Sequence, residues 1–118
     1  MNTLIPRKNW VTAFNAFTKR NAGRTTWLEE YDVELGAQNV EHDYPLRGVS
    51  YDHAGHRIEI MVGDLEGTEH HLTRSIGNGL FVDLITDQHG KDQALRIERT
   101  DGGQTLLGLS AKPAYPIV

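Results

Sequence analysis

The stretch from residue 9 to residue 35, NWVTAFNAFTKRNAGRTTWLEEYDVEL, contains the change of hydrophobic period that decides the fold. In its first half Trp10, Phe14 and Phe17 recur at the i, i+4 and i+7 spacing of one helix face. In its second half apolar residues recur at every second position, which is typical of a strand. We predict a helix over residues 8–23 that packs its aromatic face across a sheet, because three aromatic side chains are too costly to leave in water.

The strand that follows the helix alternates between an apolar face and an acidic face. Four large side chains share the apolar face: Trp27, Tyr31, Val33 and Leu35. The other face carries Leu28 and three acids: Glu30, Asp32 and Glu34. We expect the apolar face to point inward, so that Glu29 is the one acid on the buried side, with either an arginine partner or a place near the strand's exposed end. The candidate partners are three arginines: Arg47, Arg57 and Arg96.

The rest of the chain is expected to form short antiparallel strands joined by tight turns. Residues 36–44 lack a clean period and are interpreted as a loop or a weak edge strand, since Pro45 has no N–H for a central strand. In the turn over residues 53–56, Gly55 is expected to take a positive φ. Residues 68–76 fit either a helix or a strand, and we favour the strand.

These elements predict one α+β domain over residues 1–118. Its N-terminal amphipathic helix packs on a bent antiparallel sheet, or a small open barrel, of about six strands within residues 24–110. The strongest hairpin signal is Asp101-Gly102-Gly103, because glycine after aspartate favours the tight turn that joins two adjacent strands. Residues 111–118 contain two prolines and are expected to form an extended tail.

The composition excludes several classes of function. The 118 residues contain no cysteine, which rules out a thiolate nucleophile, a cysteine-ligated metal site and a disulfide framework. The net charge is −4, from 12 basic and 16 acidic residues that are interspersed along the chain, so a nucleic-acid-binding surface is not expected. No apolar run approaches a membrane span, and the N-terminal residues lack the apolar core of a signal peptide. We therefore expect a soluble cytoplasmic protein with no nucleic-acid partner and no membrane partner.

The histidines, six in all, are the first candidates for chemistry. His53 and His56 flank a turn and can converge on one metal ion if the loop folds them inward. A third ligand would come from His71, from His89 or from residues 41–43; His71 and the histidine before it cannot both reach one ion, because neighbouring strand residues point to opposite faces. The predicted metal ligands are His53, His56 and His71, and the more ordinary alternative is that these histidines lie in solvent.

No catalytic residue and no cofactor are assigned, because each candidate motif lacks a required part. Ser110 lies in a segment close to a nucleophile elbow, but Lys112 replaces the last glycine and no helix follows. The segment Gly77-Asn78-Gly79 precedes a strand, which indicates a turn and not a phosphate-binding loop.

Two tyrosines beside prolines, Tyr44 and Tyr115, have no evident core role and are the candidate binding residues of a self-association surface. The first function hypothesis is therefore a non-catalytic binding or protein-interaction module. It would form a homodimer through an edge strand or these tyrosines, and would bind an unknown protein or small-molecule partner. The alternative is a small enzyme dependent on histidine and carboxylate groups, or a metal-binding protein, that uses the turn histidines.

Several residue patterns, taken in order, resemble one known family. They are Trp10, Phe14 and Phe17; Pro45-Leu46-x-Gly48-x-x-Tyr51-Asp52; Ile58-x-Ile60-x-x-Gly63; a histidine at 70 or 71; Ile76; Leu95-x-Ile97; and Asp101-Gly102 before Leu106-Leu107. Their order and spacing, over nearly the whole chain, are similar to those of the uncharacterised bacterial family known as domain of unknown function 5335. The resemblance implies a small bacterial protein and supplies no activity, cofactor or catalytic residue. One departure is at Gly77-Asn78-Gly79, where members of the family often have a proline.

Overall fold

The computed structural model describes residues 1–63 and 71–113, with side chains at all of these positions except 39–42 and 111–113. Within them lie a short 3₁₀ turn (Arg7–Asn9), one helix and eight strands: β1 (Asn2–Ile5), α1 (Trp10–Asn21), β2 (Arg24–Asp32), β3 (Gly36–Asp52), β4 (Arg57–Gly63), β5 (His71–Ile76), β6 (Gly79–Thr86), β7 (Asp92–Arg99) and β8 (Gln104–Pro113). The strands form one open antiparallel sheet in the order β1-β6-β7-β8-β2-β3-β4-β5. The α+β class is confirmed, and the described sheet has more strands than the six expected.

The helix α1 forms where the aromatic spacing predicted it, and it buries that face. Trp10, Phe14 and Phe17 lie fully buried in the core, and burial of each contributes roughly 1.5–3 kcal/mol. Thr18 fixes the helix on β3, since its hydroxyl donates to the Val49 carbonyl over 3.1 Å and accepts from the Val49 N–H over 2.9 Å. The helix begins two residues later and ends two residues earlier than predicted.

The strand β3 is 17 residues long and joins two parts of the sheet. Residues 36–45 pair with β2, and residues 46–52 pair with β4. Asp43 lies at a register shift between β2 and β3 and takes a φ of 66°, which is typical of a β-bulge. Because a bulge bends a strand and increases its twist, the sheet changes direction within β3.

Of the two interpretations of residues 36–44, the loop is wrong and the strand is confirmed, because these residues pair with β2 as the first half of β3. Pro45 is tolerated inside this strand because its nitrogen faces away from β2. The Leu46 carbonyl accepts a bond from the Gly23 N–H over 2.8 Å, and successive residues direct their backbone groups to opposite sides of a strand. The Pro45 nitrogen therefore faces the β4 side, where pairing begins only at Leu46.

The two faces of β2 are inverted relative to the prediction. Leu28 points inward and is buried, whereas Trp27 points outward. The cause is the register with β8, which places Leu28 opposite the fully buried Leu107. Because a slip of one residue would turn every β2 side chain to the other face, this pairing decides which face is buried. The expectation that Glu29 is the inward acid is wrong, and Glu30 takes that place.

Three strands, β1, β5 and β8, complete the comparison of the structure with the sequence prediction. β1 is an additional strand that pairs with β6, and no alternation marks it. β5 confirms the strand preferred for residues 68–76 over its described part, while residues 64–70 lie outside the described residues. β8 extends to Pro113, past the predicted start of the tail, and residues 114–118 also lie outside the described residues.

The core lies between the two parts of the sheet, with α1 against β3. The connection from β5 to β6 crosses between these parts, because β5 and β6 are not neighbours in the sheet. A Cβ at Gly79 would lie 2.9 Å from the Ile58 side chain, so glycine permits the close approach of β6 to β4. In the part of the chain that the structure describes, no helix is long and apolar enough to cross a membrane.

Candidate functional site

An exposed apolar strip runs along the outer face of β2 and into the turn that follows it. Its four residues, which we call the Trp27 strip, are Trp27, Tyr31, Val33 and Leu35. Their exposed fractions are 37%, 45%, 63% and 71% in this order. A row of large apolar side chains in contact with water is unfavourable in a monomer and is typical of a protein-interaction surface.

Two glycines on the neighbouring hairpin allow the Trp27 strip to lie close to the sheet. Gly108 in β8 is opposite Trp27, and a Cβ at Gly108 would lie 1.9 Å from the Trp27 ring. A Cβ at Gly102 would lie 3.2 Å from the Val33 side chain. The missing side chains therefore leave room for the strip to cover β8 and the β7–β8 turn.

A cleft of about 410 Å³ lies between the start of α1 and the β3–β4 turn. Its six lining residues are Arg7, Lys8, Val11, Tyr51, His53 and His56, and we call it the Arg7 cleft. Arg7 and Lys8 bring two positive charges to it, and none of the six lining residues is a carboxylate. The local charge is thus the opposite of the net charge of the chain, which is −4.

The β3–β4 turn brings two of the predicted metal ligands together in this cleft. The ring centroids of His53 and His56 lie 6.3 Å apart. The Asp52 carboxylate accepts a bond from the Ala54 N–H over 3.1 Å, which closes the turn locally. The positive φ expected at Gly55 occurs instead at His56, where φ is 52°, and a Cβ at Gly55 would lie 2.5 Å from the Asp52 carboxylate.

The third predicted ligand, His71, is the first residue of β5 and lies beside the end of β4 that is remote from the β3–β4 turn. It is opposite Gly63 at the end of β4, while His56 directly precedes β4, so the 7 residues of that strand separate the two histidines. This distance is roughly 20 Å at about 3.3 Å per residue, too far for one shared ion. His71 contacts Arg47, and among the described residues no group of three or more metal-binding side chains occurs. A site of His53 and His56 alone stays a prediction.

The two predicted binding tyrosines have different outcomes. Tyr44 is half-buried and packs against the core, so it has the core role that the sequence did not indicate. Its carbonyl accepts a bond from the Thr26 hydroxyl over 2.7 Å. Tyr115 lies outside the described residues, and its binding role stays a prediction.

Glu30 on the inner face of β2 is the centre of a buried ionic network. Its carboxylate accepts from Arg99 over 2.5 Å, from Arg74 over 2.7 Å and from the Thr105 hydroxyl over 2.9 Å. Its partners lie on β5, β7 and β8, so the network links both parts of the sheet. An inward glutamate with arginine partners was predicted, but both the glutamate and the arginines are different residues. Because all of these groups are paired, we assign the network to stability and not to chemistry.

Two turn carboxylates have perturbed acidity. The Gly103 N–H, 2.8 Å from Asp101, holds the pKa of this carboxyl below its ordinary value, and the Arg99 side chain at 3.3 Å lowers it further. The pKa of Asp87 is lowered in the same way by the backbone N–H groups of Lys91 and His89, at 2.9 Å and 2.8 Å. Both carboxylates accept backbone hydrogen bonds within turns, and neither lines the Arg7 cleft. Their lowered pKa values therefore reflect bonds that stabilise the turns.

Comparison with known families identifies the chain. A family model described as a family of unknown function, DUF5335, matches residues 1–117. This chain belongs to the DUF5335 family. The expected resemblance is confirmed, and the matched range contains both the Trp27 strip and the Arg7 cleft of this DUF5335 chain. No curated protein and no solved structure matches it.

The Arg7 cleft is the part of this DUF5335 chain that sequence reasoning missed. Arg7 and Lys8 stand together before the helix, which is the one local signal for them. The contact that defines the cleft joins Arg7 to Tyr51, 44 positions apart in the chain, and no period or spacing rule reaches that distance. The Trp27 strip was identified as a row, but on the wrong side of the sheet.

Proposed function

We propose that this DUF5335 protein is a non-catalytic protein-interaction domain that forms a homodimer through the Trp27 strip. The observation that carries the proposal is the group of four large apolar side chains, each at least 37% exposed, two on the outer face of β2 and two in the turn that follows it. Aromatic residues are enriched at the centres of protein interfaces because each buries a large rigid surface with little loss of conformational entropy. A second copy would remove the strip from water.

The spacing of the strip suits contact with a second copy. Val33 and Leu35 lie in the turn that reverses the chain between Asp32 and Gly36, so Tyr31 lies between these turn residues and Trp27. A two-fold axis beside Tyr31 would place Trp27 of each copy toward the turn residues of the other. The same arrangement keeps the two Glu29 side chains, which share the outer face of β2 with Trp27 and Tyr31, apart from each other. The opposite, parallel arrangement would place two Glu29 side chains against each other, which like-charge repulsion disfavours. We therefore propose an antiparallel, two-fold contact.

The alternative function, a histidine-dependent enzyme or a metal-binding protein, has weaker support. It would use His53 and His56, which are neighbours in the Arg7 cleft. The same cleft holds Arg7 and Lys8, and their positive charges oppose the binding of a metal cation. The cleft therefore favours an anionic ligand over a metal cation.

The homodimer is tested by sedimentation velocity on the full chain and on the variant Tyr31→Glu. We expect the wild type to sediment as a dimer at micromolar concentration. We expect Tyr31→Glu to sediment as a monomer, because the axis would place two carboxylates against each other at a cost of several kcal/mol. Circular dichroism of the same samples shows whether the variant keeps its fold.

Phe81→Glu is the matched control. Phe81 in β6 is 47% exposed, close to the 45% of Tyr31, and it lies three strands from β2 in the same sheet. We expect this variant to remain a dimer. A monomeric wild type at high concentration, or equal dissociation of both variants, would contradict the proposal.

A further inference from the structure

The Arg7 cleft is built from elements that the Trp27 strip does not use, and it presents a separate binding surface. We propose that the Arg7 cleft binds the phosphate group of a small phosphate monoester. The proposal goes beyond the interaction function, because it concerns a small ligand and a different part of the molecule. It rests on the fixed position of Arg7, the charge of the lining residues, and the size and apolar wall of the cleft.

Arg7 is held in place although it lies at the surface. Its guanidinium carbon is 4.5 Å from the centre of the Trp10 ring, which is a cation–π contact. One guanidinium nitrogen donates to the Gly79 carbonyl over 2.9 Å, and the other donates to the Tyr51 hydroxyl over 3.5 Å. A guanidinium has five N–H donors, so these contacts leave about three for a ligand in a fixed geometry. Such a preorganised fork suits the oxygens of phosphate.

The other lining groups add positive charge and donors to the same cleft. Lys8 follows Arg7 directly, and His53 and His56 lie on the facing turn, with hydrogen-bonding ring nitrogens. Two positive charges match a phosphate monoester, which carries nearly two negative charges at neutral pH, better than a carboxylate, which carries one. A metal cation would meet repulsion from both. The charge of the cleft therefore selects a dianion.

The size and wall of the cleft favour an ester over free phosphate. A volume of about 410 Å³ exceeds what a phosphate ion fills and lies within the range of small-molecule sites. Val11, which is 43% exposed, and the Tyr51 ring supply an apolar wall beside the cations. An organic group attached to the phosphate would contact that wall. The inferred ligand thus has a phosphate end and an apolar or aromatic body.

The test is a titration of the ¹⁵N-labelled full chain followed by amide chemical shifts. Phenyl phosphate is the main probe, with benzoate as the singly charged analogue and inorganic phosphate as the probe without an organic body. We expect saturable shifts at Arg7, Lys8, His53 and His56 with phenyl phosphate. We expect at least about tenfold weaker binding of benzoate and of inorganic phosphate, since each lost charge-assisted or apolar contact corresponds to about that factor. Equal affinity for inorganic phosphate would overturn the assignment of an ester.

Lys8 and His53 are exposed, so substitutions at these positions can change ligand binding without disturbing the core. Lys8→Gln should weaken phenyl phosphate binding about tenfold, because it removes a positive charge, and His53→Ala should have a similar effect, because it removes a ring N–H donor. Lys19→Gln removes a matched exposed lysine at the other end of α1 and should leave the affinity unchanged. Arg7→Gln should weaken binding most, but Arg7 also packs on Trp10, so the test does not depend on that variant.

Three results would overturn the proposal. The first is the absence of saturable shifts in the cleft at millimolar phenyl phosphate. The second is an equal loss of affinity in Lys19→Gln and Lys8→Gln, which would indicate general charge attraction. The third is saturable Zn²⁺ binding at His53 and His56 without any effect of phenyl phosphate, which would restore the two-histidine metal site.

Discussion

The two faces of β2 reverse the usual arrangement, in which charged residues are exposed and aromatic residues are buried. On the inner face Glu30 is a charged residue with only 14% of its side chain exposed. On the outer face Trp27 and Tyr31 are aromatic residues with more than a third of their surface in water. Glu29, adjacent to Glu30 in the chain, belongs to the outer face and makes none of the contacts of Glu30. One strand thus buries a charge and exposes its aromatic rings.

The difference shows that a neighbouring strand, and not the residue itself, decides burial. β8 presents Leu107 and Thr105 to the core, and the register places Leu28 and Glu30 opposite them. Burial of the Glu30 carboxylate is tolerated because two arginines and a hydroxyl surround it, which compensates for the loss of water. The aromatic rings on the other face keep their apolar surface exposed. In our proposal a second copy covers that surface.

The largest expected effect is that of removing the buried acid. Glu30→Ala should lower the free energy of unfolding by about 3 kcal/mol, because Arg99 keeps its charge in the core and retains only the exposed Asp101 carboxylate, at 3.3 Å, as a partner. Urea unfolding followed by circular dichroism measures the change. Its matched control is Glu29→Ala, which removes an identical side chain from the outer face and should change stability by less than about 0.5 kcal/mol. Equal effects of the two substitutions would show that the inside–outside assignment of β2 is wrong.

The sequence predicted what depends on spacing within one element. The helix follows from Trp10, Phe14 and Phe17, and the strongest turn follows from Asp101 and Gly102, because both signals are local. The family also follows, since it rests on order and spacing over the whole chain.

What the sequence could not predict depends on partners distant in the chain. The alternation in β2 offers two faces, and only the pairing of Leu28 with Leu107 selects one of them. The candidate site divides in the same way. His53 and His56 meet because one turn joins them, whereas Arg7 and Tyr51 meet only through the tertiary fold.

A smaller effect is expected on the outer face, at the glycine beneath Trp27. In the Tyr31→Glu background, which we expect to be monomeric, Gly108→Ala should displace the Trp27 ring and cost about 1 kcal/mol, because the ring then lies at the surface and has room to move outward. Tryptophan emission should shift to longer wavelength and acrylamide quenching should rise, since Trp10 is buried and does not change. Gly77→Ala is the control, as a Cβ at Gly77 has nothing within 4 Å. An unchanged Trp27 emission in Gly108→Ala would contradict the contact.

The smallest effect is expected at Asp101, the exposed acid that contacts the same arginine, Arg99, as the buried Glu30. The pKa of Asp101 is lowered in the folded state, first by the Gly103 N–H and then by Arg99, although 55% of its side chain is exposed. A lowered pKa means that the unfolded chain takes up the proton first, so the stabilising contribution is present at neutral pH and is lost as pH falls through the folded pKa. The stability difference between wild type and Asp101→Asn should therefore close as the pH falls below about 4, the ordinary pKa of an aspartate. High salt should change this closure little, because a backbone hydrogen bond is screened less than an exposed ion pair. A stability difference that widens as the pH falls would contradict a lowered pKa of Asp101. Strong sensitivity of the stability difference to salt would show that Arg99, and not the Gly103 N–H, is the main cause of the lowered pKa.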